Sequence, residues 1–255
     1  MRLRALFFAV GILGASTSAY AYRPFDGTDA DVAGTSDIEL EIGPLGYLYT
    51  RHDSGLVFAN TIFNYGFIPR WELVIQGVGV WGLDAALPPR FQNGGVFVKH
   101  VLREGTLQDR FGLSLAAETG VLLPTSDPAA SDGGVYLGFI ASNAWKELIM
   151  HVNVSLARSP DRQPDLFLGS IFEFHPKARI RPVSEIYVER HGDQTIPSLL
   201  VGAILDEMRY HLSFDAATRV AWENDAPLFE LRVGLTWTIP AHKRNPHEGP
   251  HLHDE

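Results

Sequence analysis

From residue 37 onward the chain alternates apolar and polar residues, in stretches broken by turn residues every ten to fifteen positions. The final stretch shows the pattern clearly. Phe229, Leu231, Val233, Leu235, Trp237 and Ile239 fall on one face, and Glu230, Arg232, Gly234, Thr236 and Thr238 fall on the other. A period of two belongs to a β-strand with one face toward hydrocarbon and one toward water. A fold built of such strands needs an environment, and the regions outside the strands decide which.

Arg2 and Arg4 precede an apolar run from Ala5 to Leu13, and Ala19-Tyr20-Ala21 supplies the small residues of a cleavage site. Residues 1–21 therefore read as a cleaved secretory signal peptide, with a mature start at Tyr22. The run is about half of the ~20 residues a spanning helix needs. Removing Arg2 and Arg4 leaves 19 basic residues against 30 acidic ones, a net charge of −11. An acidic chain without a basic stripe is a poor partner for nucleic acid. The absence of cysteine excludes disulfide staples and thiolate chemistry. The longest uncharged run, Ser54 to Pro69, is interrupted by Asn60 and Asn64, so helical spanning is excluded as well.

The alternation predicts an all-β transmembrane antiparallel up-and-down barrel of about twelve strands, with ten to fourteen allowed by the softness of strand boundaries. The strands are expected near 38–49, 56–67, 71–83, 94–103, 110–122, 134–143, 147–157, 165–174, 178–190, 198–205, 209–222 and 228–239. Connections after even-numbered strands read as mostly tight, such as Ile68-Pro69-Arg70 and Ala144-Trp145-Lys146. Those after odd-numbered strands read as longer, such as Leu123 to Gly133 and His191 to Pro197. Outer-membrane barrels sort their loops this way, with the short rim in the periplasm. All five tryptophans sit near strand ends: Trp71, Trp145 and Trp237 toward the periplasmic rim, Trp81 and Trp222 toward the outer one. The expected organisation is a leader over 1–21, a periplasmic N-terminal segment over 22–37, the barrel over 38–239 and a His-rich periplasmic tail over 240–255.

Several segments resemble the outer-membrane barrels grouped with the meta-pathway of phenol degradation, a family described as transporters. Arg23-Pro24-Phe25 with Thr28 and Asp29, then Gly34 and Glu39-Leu40-Glu41, resembles that family's opening. Asn64-Tyr65-Gly66 through Pro69-Arg70-Trp71-Glu72-Leu73 is similar to its second strand, tight turn and third strand. Gly120-Val121-Leu122-Leu123-Pro124-Thr125 is similar to its motif before an outer loop. Ala30 separates Asp29 from Asp31 where the family pairs its aspartates, and Ser126 stands where a glycine is common. The resemblance implies passage of small organic, including aromatic, molecules.

Charged residues on the assigned strands must face inward, because Arg or Lys toward lipid costs roughly 2–4 kcal/mol near the midplane. The expected lumen-lining set is Glu72, Lys99, Arg103, Glu118, Glu173, Arg179, Arg181, Glu185, Asp215, Arg219, Glu230 and Arg232, with Glu39, Glu41 and Glu189 beside them. Left open to water, they would line a pore for polar or amphiphilic solutes. Paired across the barrel, they would close it into a structural or assembly barrel. A third reading, a lipid-modifying hydrolase, rests on His211-Leu212-Ser213 with Glu223 or Asp225 nearby; the pair resembles the His-x-Ser element of lipid A deacylases, with Phe214 in place of the usual asparagine. No cofactor is implied. His242, His247, His251 and His253 in the tail would suit a divalent metal such as zinc, copper or nickel. The expected partners are outer-membrane lipid, small organic solutes and the barrel-assembly machinery of a Gram-negative bacterium.

Overall fold

The computed structural model describes residues 23–50, 54–83, 89–127, 130–207, 211–223 and 226–240. The signal-peptide reading and the four tail histidines lie outside those residues. Twelve strands form one closed antiparallel sheet in which each pairs with its neighbours in sequence. They are β1 (Ile38–Thr50), β2 (Ser54–Ile68), β3 (Trp71–Gly82), β4 (Arg90–Arg103), β5 (Ser114–Leu122) and β6 (Gly134–Ala144). The series continues with β7 (Leu148–Arg158), β8 (Pro164–Phe174), β9 (Ile180–His191), β10 (Gln194–Glu207), β11 (Leu212–Glu223) and β12 (Ala226–Ile239). Closure comes from β1 and β12, whose ladder runs from Ile38↔Ile239 to Thr50↔Leu228 with one bulge between Ile42 and Leu45. Closure leaves no unpaired sheet edge, which is what allows a sheet to sit in hydrocarbon.

The two faces separate as the alternation requires. Phe139, Leu156, Leu168, Ile186, Val201, Phe214, Leu231 and Val233 are exposed on the outside, while their strand neighbours turn into the lumen. Trp81 and Trp222 lie near one end of their strands, Trp237 near the other end of its strand and Trp145 in the turn just after β6, all exposed, as for rings that sit at headgroup level. A barrel of twelve strands is wider than the eight whose side chains alone fill the interior. Something else must fill it, or water does.

Three expectations need correction. The connection between β9 and β10 is a two-residue turn, Gly192-Asp193, because Gln194 already pairs with His191 and Pro197 pairs with Val188 inside β10. Pro197 lies one residue beyond the β10–β11 ladder, which starts at Ser198↔Ala221; a strand end tolerates its missing N–H. The sorting of loops by parity is accordingly weaker than the sequence suggests. Residues 110–113 do not extend β5, since a short 3-10 turn at Thr106–Gln108 occupies that rim and β5 starts only at Ser114. Finally, the N-terminal segment expected in the periplasm folds back into the barrel.

Candidate functional site

The N-terminal segment from Arg23 to Asp37 has no strand or helix of its own, so its amide groups need partners elsewhere. The barrel wall provides them. The N–H of Arg23 donates to Glu41 at 3.0 Å, and those of Asp26 and Gly27 donate to the two oxygens of Glu185 at 2.8 Å each. Thr28 N–H donates to Asn153 at 3.0 Å while the Asn153 amide returns a bond to Thr28 O at 2.8 Å. Ala30 N–H donates to Ser142 Oγ at 2.9 Å, and Ala33 N–H to Glu72 at 2.6 Å. Much of the lumen's polarity is therefore a mould for irregular backbone, which at membrane depth survives only where protein satisfies it.

Side chains of the segment fix it further. Phe25 is 1 % exposed and packs with Ile171, Val183, Leu200, Ile204 and Ala217 on the lumen wall. The Arg23 guanidinium donates to Asp215 at 3.2 Å and to Val233 O at 2.9 Å. A methyl group at Gly234 or Gly43 would meet that guanidinium and force it to shift, so glycine at both positions makes room for its present placement. Asp26 accepts from the Tyr187 hydroxyl at 2.5 Å and pairs with Arg232 at 2.9 Å. On the wall itself Arg232 also meets Glu230 at 2.9 Å, and Arg219 meets Glu189 at 2.9 Å and Glu230 at 3.5 Å.

A buried chain of contacts runs under the segment. Ser142 Oγ lies 2.8 Å from His151 Nδ1, and His151 Nε2 lies 2.9 Å from Glu173, whose other oxygen meets Arg181. Three strands, β6, β7 and β8, thus present a serine, a histidine and a carboxylate in line. The serine oxygen is taken by Ala30 N–H, which makes the chain an anchor for the segment.

Of the residues expected to line the lumen, Glu72, Lys99, Glu118, Glu173, Glu185, Asp215, Arg219 and Glu230 are buried inside the barrel, and Arg181 and Arg232 are nearly so. Arg103 and Arg179 are not among them. Arg103 is exposed at the end of β4, and Arg179 lies in the turn before β9, where it pairs with Glu207 at 2.7 Å in solvent. The hydrolase arrangement also fails. His211 sits in a turn with a φ of 52°, outside β11, and Ser213 Oγ donates to Asp206 at 2.6 Å instead of meeting the imidazole. Glu223 ends the 12-residue strand that Ser213 nearly begins, so a rise of about 3.3 Å per residue puts it on the opposite rim. Asp225 lies outside the described residues. Alternation alone pointed to none of Arg23, Phe25, Asp26, Ser142, His151, Asn153 and Tyr187; the only available signal was the polar-aromatic opening Arg23-Pro24-Phe25.

The segment divides the lumen. Toward β8 to β12 it is packed, as described. Toward β1 to β5 a hollow of about 150 Å³ remains, bordered by Glu39, Glu41, Glu72, Lys99, Glu118 and the segment's own Asp29 and Asp31. Lys99 meets Asp29 at 3.1 Å and Thr28 at 3.2 Å.

No protein-family model matches the chain, and no curated protein matches its sequence. Solved structures do share its shape. An outer-membrane channel from Pseudomonas putida F1 superposes with a TM-score of 0.59 at 8 % identity, covering 84 % of this chain and 100 % of that one. The NanC porin gives 0.55 at 8 % identity over 78 % and 98 %, and the KdgM porin 0.52 at 8 % over 80 % and 99 %. At such identities the likeness is one of fold: a closed twelve-stranded barrel of the outer-membrane type.

Proposed function

We propose that the chain is an outer-membrane channel for small organic molecules, narrowed by its own N-terminal segment. The observation that carries this reading is the filling of the lumen by a non-strand segment held through hydrogen bonds, ion pairs and one aromatic anchor. A barrel of about twelve strands is wide enough to pass solute once such a segment shifts. Porins and channels of the same fold support a transport role, and the resemblance to the phenol meta-pathway barrels favours aromatic cargo. The apolar outer face and the tryptophans at both ends suit outer-membrane lipid, which a secreted chain reaches through the barrel-assembly machinery.

The test is conductance in planar bilayers, comparing the full chain with a variant lacking residues 23–33. The full chain is expected to give small or intermittent steps and the deletion variant large, steady ones. A folded barrel silent in both forms would favour the closed structural barrel.

A further inference from the structure

We infer that the outward face of β7 to β9, at the outer rim, is a docking site for a glycolipid of the outer leaflet whose headgroup carries two phosphates on a disaccharide. The inference goes beyond the transport reading and does not depend on whether the lumen conducts. It begins with an exception to the sorting of charge. In the half of the wall nearer that rim, the charged strand residues that alternate onto the outer face are, among those described, Arg158 of β7 and Arg190 of β9, both exposed. They sit at or next to the ends of odd-numbered strands, opposite the rim where the chain enters β1 and leaves β12. The longest connection, 123–133 after β5, leaves from their rim, and outer-membrane barrels turn the longer loops outward.

β8 separates the two arginines. Arg158 pairs with Pro164 and Arg190 with Leu166, so they lie two strand spacings apart and two residues out of step. At about 4.8 Å per spacing and about 3.3 Å per residue, their Cα atoms are roughly 12 Å apart. The acids around them are engaged elsewhere. Asp132, whose charge reaches Arg158, is paired with Arg162, and Asp161 and Asp165 both meet His191. Among the described residues neither arginine forms an ion pair, and Arg190 uses only Nε, which donates to Gly192 O at 3.1 Å. A guanidinium facing lipid costs roughly 2–4 kcal/mol at the midplane and about 0–1 near the interface, which places both at headgroup level. There a guanidinium grips phosphate through two parallel N–H bonds. Two separated cations suit two separated phosphates.

Below the pair the face is hydrocarbon. Leu156 and Ile186 are 59 % and 58 % exposed, and Val154, Leu166 and Leu168 are exposed between them, with Leu156 opposite Leu166 and Val154 opposite Leu168. Acyl chains cover such a surface while the phosphates stay above it. The other odd-numbered strands end differently on their outer face: β1 presents Tyr49, β3 Trp81, β5 Val121 and β11 Trp222, all exposed and uncharged. The paired cations are therefore a feature of β7 to β9 and not of the rim as a whole.

Native mass spectrometry of the refolded full-length barrel, released from detergent after equilibration with a defined lipid, tests this with lipid A as the probe. One lipid A per barrel is expected to be retained. Lipid A stripped of one phosphate, and phosphatidylglycerol with its single phosphate, should bind at least about tenfold more weakly, as loss of one charge-assisted contact predicts. Arg158→Gln and Arg190→Gln should each weaken lipid A by about the same factor, whereas Arg103→Gln, which removes an exposed cation at the opposite rim, should leave it unchanged. Heat-modifiable gel mobility shows that the variants fold, and the comparison of lipids on the unaltered protein needs no variant. Equal retention of phosphatidylglycerol, unchanged retention of lipid A in both folded variants, or an equal loss in Arg103→Gln would each overturn the proposal.

Discussion

The two sides of the lumen are built from the same strand pattern and end in opposite states. Toward β8 to β12, arginines are matched to carboxylates, Phe25 fills an apolar pocket, and the N-terminal segment is pinned. Toward β1 to β5, carboxylates outnumber the single lysine, a hollow persists, and Gln76 keeps an unpaired oxygen. The first side shows what a finished polar interior looks like: charges stay buried because each has a partner. The second shows an interior that the segment leaves partly unfilled.

The sharpest way to break this contrast is to unpin the packed side. Arg232→Leu leaves Asp26 buried without its cation and Glu230 with Arg219 alone, and segment docking should weaken by ~3–5 kcal/mol. Hydrogen exchange of the amides of residues 26–33 reads this as lost protection, with the barrel amides unchanged. Glu185→Gln replaces one of two acceptors with a donor facing an N–H, so protection of Asp26 and Gly27 should fall by ~2 kcal/mol. Normal exchange in that variant would mean that the wall does not mould the backbone. Gly234→Ala pushes a methyl group against the Arg23 guanidinium, at a cost of ~1–3 kcal/mol, seen as raised protease cleavage near residue 23.

On the hollow side the expected effects on docking are smaller. Glu118→Gln should change segment protection by less than about 1 kcal/mol, because the segment's amide bonds go to other wall residues, while shifting the reversal potential toward lower cation preference. The smallest effect belongs to the rim, which serves as a control. Partial burial raises the Asp161 carboxyl, yet bonds from the Ser159 hydroxyl and the Gln163 N–H, together with His191, hold it below its ordinary 3.8. A depressed value in the folded state means stability that is fully present above 3.8 and lost as pH falls below it. Proteolysis of the 159–163 loop should therefore rise under acid conditions, by the equivalent of ~0.2–1 kcal/mol for a partly exposed pair.

Strand number and strand faces were legible because a period of two survives any tertiary arrangement. Phe229 to Ile239 could face only lipid while Glu230 and Arg232 faced in. Turn length was less legible: Gly192, Asp193 and Pro197 together read as a loop, although pairing runs up to a two-residue turn. The hydrolase arrangement failed because spacing along a chain does not say where a strand begins, and His211 falls one residue short of β11. Ser142 and Asn153 read as ordinary polar positions, since their partner is a segment more than a hundred residues earlier.

The sequence by itself determined a closed cylinder with an apolar outside and a charged inside, because burying an ionised group in hydrocarbon costs more than any local preference can offset. Only the tertiary structure decided how those inward charges are used. Which carboxylate meets an arginine, which accepts a backbone N–H and which faces open space depends on the path of residues 23–37 across the lumen. That path is set by contacts between residues far apart in the chain, and no local pattern encodes it.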